Sequence, residues 1–154
     1  MIYGSEPKSL GVLGITPEEY QYVVYMPIKL PDGGINIPRN LRWAARLVGV
    51  AIDDYQDITD KYIYLTAKHV FVSGYSGNRA GWHSDGFMTE DINYVWVDRC
   101  PTEFCIQDFN LTQDENISMC EMECQAKDEN IITFSDREVL RLDQSVIHRI
   151  PFCS

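Results

Sequence analysis

A mainly β fold with helical decoration, built as a barrel or sandwich, is what this chain predicts, and three observations carry that reading. Short runs rich in β-branched and aromatic residues recur through the second half, a sharp turn signal follows such a run near the start, and one stretch with helical spacing lies between them. With 154 residues, 45% of them hydrophobic and 12% aromatic, the chain can bury a core without covalent staples.

In chain order, Tyr20 to Leu30 (YQYVVYMPIKL) has strand composition, and Pro31-Asp32-Gly33-Gly34 is a turn. Ile35-Asn36-Ile37 is then expected to begin the return strand of a hairpin. Pro38-Arg39-Asn40 leads into Leu41 to Ile52 (LRWAARLVGVAI), whose apolar positions are spaced as on a buried helix face. Beyond Asp53 and Asp54 the period changes to that of strands, over 62–65, 69–73, 94–97, 104–107, 131–134, 139–142 and 146–150. Ser118 to Lys127 (SMCEMECQAK) interrupts them as a short helix or acidic loop. Tyr62, Tyr64, Trp96 and Phe134 recur at strand spacing and are expected in the core. No repeat or Ser/Gly linker divides the chain, so one domain over 1–154 is expected, with a hairpin and helix in 1–60 and a core in 61–154.

A net charge of −10 argues against a broad nucleic-acid-binding surface, because phosphate backbones would be repelled. The acidic run around Gln113-Asp114-Glu115, continuing through Glu121 and Glu123, reads as a solvated face that can dock a basic protein partner. No segment approaches the roughly 18 apolar residues of a membrane span. The first residues have neither a basic nor an apolar leader pattern, which predicts a cytoplasmic protein. In that compartment Cys100, Cys105, Cys120, Cys124 and Cys153 are expected as reduced thiols, and their spacings lack the CxxC knuckles of structural zinc sites. Cys105, between Phe104 and Ile106, reads as a small buried hydrophobe.

Chemistry concentrates in Tyr75 to Asp91, YSGNRAGWHSDGFMTED, where a Gly-rich loop precedes His83-Ser84-Asp85. Alternate residues of a strand share a face, so His83 and Asp85 project together while Ser84 points away. His148 lies near the end of the last expected strand and is the third ligand candidate. His69 reads as structural. Two imidazoles and one carboxylate leave open positions on a divalent ion, and they suit iron, manganese, cobalt or zinc almost equally.

Gly81-Trp82-His83-Ser84-Asp85-Gly86 and Val146-Ile147-His148-Arg149 together resemble the iron(II)/2-oxoglutarate-dependent oxygenases, which carry an HxD motif on an early core strand and a distal His on a late one. The likeness spans roughly Tyr62 to Ser154. It implies a double-stranded β-helix (jelly-roll, cupin-like) core with one or two helices packed on it. It also implies iron(II) on His83, Asp85 and His148, 2-oxoglutarate as co-substrate, and hydroxylation of a small or macromolecular substrate that no motif identifies. The family commonly places a basic residue soon after the distal His for the keto acid's far carboxylate, and no such residue stands at that place. Tyr94, Arg141 and Arg149 are the candidates for cofactor contact, and Tyr75, Asn78, Arg79 and Trp82 for substrate contact. Arg149 adjoins a ligand, so a regular strand would turn it to the opposite face. Two other classes stay open: an acidic protein of the same architecture, of viral origin among the options, that works by binding a partner protein, and a cupin-like metalloenzyme needing no keto acid.

Overall fold

The computed structural model describes residues 1–17, 21–69 and 80–151. The chain divides into two compact units, Leu13–Phe71 and the combination of Met1–Val12 with Val72–Ser154. Among the described residues there are eight strands in antiparallel sheets and two α-helices, so mainly β with α is what the chain forms.

In the unit Leu13–Phe71, β2 (Tyr22–Lys29) pairs with β3 (Ile63–Lys68), with Tyr22 opposite Lys68 and Met26 opposite Leu65. The expected return strand at Ile35-Asn36-Ile37 does not form. Asn36 N donates to the Ile28 carbonyl at 2.7 Å, but Pro38, which has no N–H, then leads into a 3₁₀ turn over Arg39–Ala44, and β3 takes the pairing instead. That turn delivers the chain into α1 (Ala45–Tyr55), which ends at Gln56 with φ 72°. Leu65 and Ala67 alternate inward against Ile28, Leu41, Ala44 and Val48. The same alternation turns Tyr64 outward, and Tyr62 and Tyr64 are 57% and 52% exposed, which corrects their assignment to the core. Lys29 is buried beneath the turn, and its ammonium donates to the Leu30, Thr59 and Lys61 carbonyls at 3.1, 3.1 and 3.0 Å. All three of its N–H bonds are thereby used.

The other unit holds two three-stranded sheets. One has the order β1 (Lys8–Val12), β7 (Glu138–Leu142), β4 (Asn93–Val95); the other has β6 (Ile131–Thr133), β5 (Glu103–Cys105), β8 (His148–Arg149). Most expected strands are present with shifted ends. β1 is additional: it is short and mostly exposed, and its register on β7 shifts between Ser9 and Val12, where Gly11 has φ 92°. Both sheets contribute to a single cluster, Phe104 from β5 with Leu140 and Leu142 from β7 and Val146, each burial worth roughly 1.5–3 kcal/mol. Cys105, next to Phe104, faces the other way. It joins Tyr3, Trp82, Phe109, Ile147 and Met122 of α2 (Glu115–Gln125), so the β6–β5–β8 sheet is covered on both faces. α2 begins at Asp114, whose carboxylate accepts the Ile117 N–H at 2.9 Å.

Cys100 is disulfide-bonded, which corrects the expectation of reduced thiols throughout. Pairing follows spatial proximity, which sequence spacing does not reveal. Cys105, Cys120 and Cys124 are free thiols. Among the described residues, no helix is long and apolar enough to cross a membrane. The strand expected over 69–73 lies almost wholly outside them.

Candidate metal centre

His148 is placed by two strand partners. On one side it lies opposite Phe104 of β5, and on the other it forms an isolated antiparallel bridge with His83. In that bridge His83 N donates to the His148 carbonyl at 3.0 Å and His148 N to the His83 carbonyl at 2.9 Å. Directly opposed residues share a face, so the two imidazoles stand side by side with ring centroids 4.5 Å apart. Asp85, two residues after His83, returns to the same face as the alternation predicts. Its Oδ2 is 3.1 Å from His148 Nε2 and its Oδ1 is 3.8 Å from His83 Nε2. One ligand atom from each of the three residues lies within 4.8 Å of the others.

A tight turn follows Asp85. Gly86 has φ 70°, its carbonyl accepts both N and Oγ1 of Thr89, and a Cβ there would press on Thr89 and Asp91. Ser84 points away from the triad and donates to the Gln144 carbonyl at 2.5 Å. Met88 N donates to the Gln144 side chain at 2.8 Å, so the turn is held on both sides by the loop before β8.

Each ring has a backbone acceptor behind it. His83 Nδ1 lies 3.0 Å from the Gly81 carbonyl and His148 Nδ1 lies 3.3 Å from the Val146 carbonyl. A carbonyl only accepts, so a proton on Nδ1 would satisfy it and leave the Nε2 lone pair for a metal. Both Nε2 atoms are directed at one carboxylate. Two imidazoles and one carboxylate form a nitrogen- and oxygen-rich set that fits iron, manganese, cobalt or zinc, and the backbone carbonyls behind them are placed as outer partners are in metal sites.

The site opens on the side of Asp85, whose side chain is 44% exposed against 4% and 6% for His83 and His148. Its inner wall is apolar: the ring centroids of Phe104 and His148 are 6.0 Å apart, and Phe104 continues into Leu140, Leu142 and Val146.

The remaining sequence-derived candidates lie elsewhere. Arg149 is on the opposite face, its Nε donating to Glu103 at 3.1 Å and its guanidinium 4.3 Å above the Trp82 ring. Trp82 is buried in the cluster behind the sheet. Tyr94 and Arg141 are cross-strand partners and alternate with Val95, Leu140 and Leu142, which puts them on the face of their sheet turned from the shared cluster. Tyr75, Asn78 and Arg79 lie outside the described residues. His69 exchanges hydrogen bonds with Gln21 in the other unit, as a structural histidine.

Sequence reasoning missed Glu123 and Gln144. Glu123, from the acidic run read as a solvated face, accepts the Trp82 N–H at 2.5 Å and packs where a side chain at Gly81 would lie. Only the glycine hinted at this, since Gly81 has φ 82°. Together these features define a β-rich protein whose described residues bring two histidines and one carboxylate into a group that could hold a metal ion. No family model, curated protein or solved structure matches the chain.

Proposed function

We propose that this protein is an iron(II)- and 2-oxoglutarate-dependent oxygenase with a double-stranded β-helix core, holding its metal on His83, Asp85 and His148. The observation that carries the reading is the convergence of two Nε2 atoms on the Asp85 carboxylate, each ring with a backbone carbonyl at Nδ1. Two sheets sharing one apolar cluster support the architecture. Bound iron would supply the activation of dioxygen that side chains cannot perform. The chain's own contribution is geometric and dielectric. The carbonyls of Gly81 and Val146 hold the rings, Phe104 and its neighbours keep water from the inner side, and the exposed edge of Asp85 leaves an approach for co-substrate and substrate.

A second reading has its own support. Among the described residues, the side chains identified on the triad's face are apolar, while Arg141, Arg149 and Tyr94 face elsewhere. A keto acid's far carboxylate needs a cation there, since an unpaired buried charge costs several kcal/mol or more. A metalloprotein of this architecture that uses no keto acid, or that acts by docking a basic partner, has no such need.

Anaerobic titration with iron(II), with and without 2-oxoglutarate, separates the two. Under the oxygenase reading a weak visible charge-transfer band appears with the keto acid, is lost in His148→Ala and survives in Ser84→Ala. Iron uptake without that band favours the second reading, and no uptake at all refutes the metal site.

A further inference from the structure

The back of the metal-binding strand pair is as closely fitted as its front. Trp82 precedes His83 and Arg149 follows His148, so alternation sends both to the face opposite the triad. There the Arg149 guanidinium carbon sits 4.3 Å above the Trp82 ring, and its Nε donates to Glu103 at 3.1 Å. Glu103 is the strand partner of Arg149, next to Phe104, which is the strand partner of His148. In front, His83 and His148 meet in an isolated bridge with two backbone hydrogen bonds.

We infer that Arg149 is a positioning residue for the triad: it clamps Trp82 against β8 from behind and so fixes His83 beside His148. The inference rests on the reading of the triad as a metal site. Arg149 is suited to this because a planar guanidinium can stack on an indole and pair with a carboxylate in the same pose, which an ammonium cannot do as well. Trp82 is 3% exposed, so its ring has little room to find another support. Loss of the clamp frees the segment carrying His83 to shift relative to His148.

Cobalt(II) is the probe, titrated into the wild-type protein and into Arg149→Met, Arg149→Lys and Glu103→Gln, with the visible d–d bands read for coordination geometry and the melting temperature of each metal-free protein recorded. Arg149→Met should remain folded, lose about tenfold or more in cobalt affinity, as outer-sphere replacements at metal sites do, and show altered d–d bands. Arg149→Lys should recover part of both, and Glu103→Gln should show a smaller loss. A merely structural role would lower the melting temperature and leave affinity and bands of the folded protein unchanged, and that result overturns the inference. If Arg149→Met does not fold, Glu103→Gln decides, and wild-type affinity with wild-type bands in that variant is again an overturning result. Wild-type protein that takes up no cobalt sinks the metal reading and this inference with it; wild-type uptake with an indifferent Arg149→Met sinks this inference alone.

Discussion

Replacing Gly81 by alanine tests the link between α2 and the segment that carries His83. Gly81 has φ 82°, and a Cβ built there overlaps the Glu123 carboxylate. The left-handed backbone costs an L-residue roughly 1–2 kcal/mol. Displacing Glu123 removes its part-buried hydrogen bond from Trp82 N, worth about 1 kcal/mol. Gly81→Ala should therefore lose about 2–3 kcal/mol, a fall of about 1 M in the urea midpoint for an m-value near 2 kcal/mol/M. Glu123→Ala alone should lose only about 1 kcal/mol. The double variant should lose less than the sum of the two, because the overlap is gone. Gly49→Ala is the control: it lies in α1 with open space around its Cβ direction, and should gain about 0.5–1 kcal/mol. A Gly81→Ala protein within about 0.5 kcal/mol of wild type, or a strictly additive double variant, would refute the reasoning.

Two other outcomes are expected. Lys29→Met strips three carbonyls of their shared donor; because Leu30, Thr59 and Lys61 are exposed, water replaces part of the loss, and about 1–2 kcal/mol should go, seen as a lower melting temperature that an unchanged melt would contradict. Burial pushes the Cys105 thiol above its ordinary 9.0, so at pH 8 iodoacetamide should label Cys120 and Cys124 well before Cys105, and mass mapping showing equal rates would count against the burial argument. Because the folded form holds this proton more tightly than the unfolded chain, the thiol's contribution to stability is present below pH 9.0 and is lost as pH rises beyond it.

The triad was legible because strand alternation is a strict local rule: it puts His83 with Asp85, sends Ser84 away, and turns Arg149 from His148, all as found. What completes the site was not legible. Glu123 and Gln144 reach it from elements far along the chain, through hydrogen bonds to backbone groups, and a backbone N–H or carbonyl leaves no mark in the sequence. The hairpin was misplaced for a related reason. Pro31-Asp32-Gly33-Gly34 marks a turn correctly, but the choice between Ile35-Asn36-Ile37 and β3 as the partner of β2 is made by Leu65 and Ala67 packing under Ile28, a long-range preference. Tyr62 and Tyr64 have strand composition without being inward-facing, since period two fixes which residues share a face and not which face is buried.

Asp85 and His148 are separated by 63 residues, and the segment between them contains β4, β5, α2, β6 and β7. An ion held by both is therefore also a cross-link, closing a long loop around most of the second unit. If that closure acted as a covalent bridge does, the entropy withdrawn from the unfolded chain would favour folding by about 4 kcal/mol. Residues holding such an ion would tie the two ends of this segment together, and chelation and folding of this unit would then be thermodynamically one process.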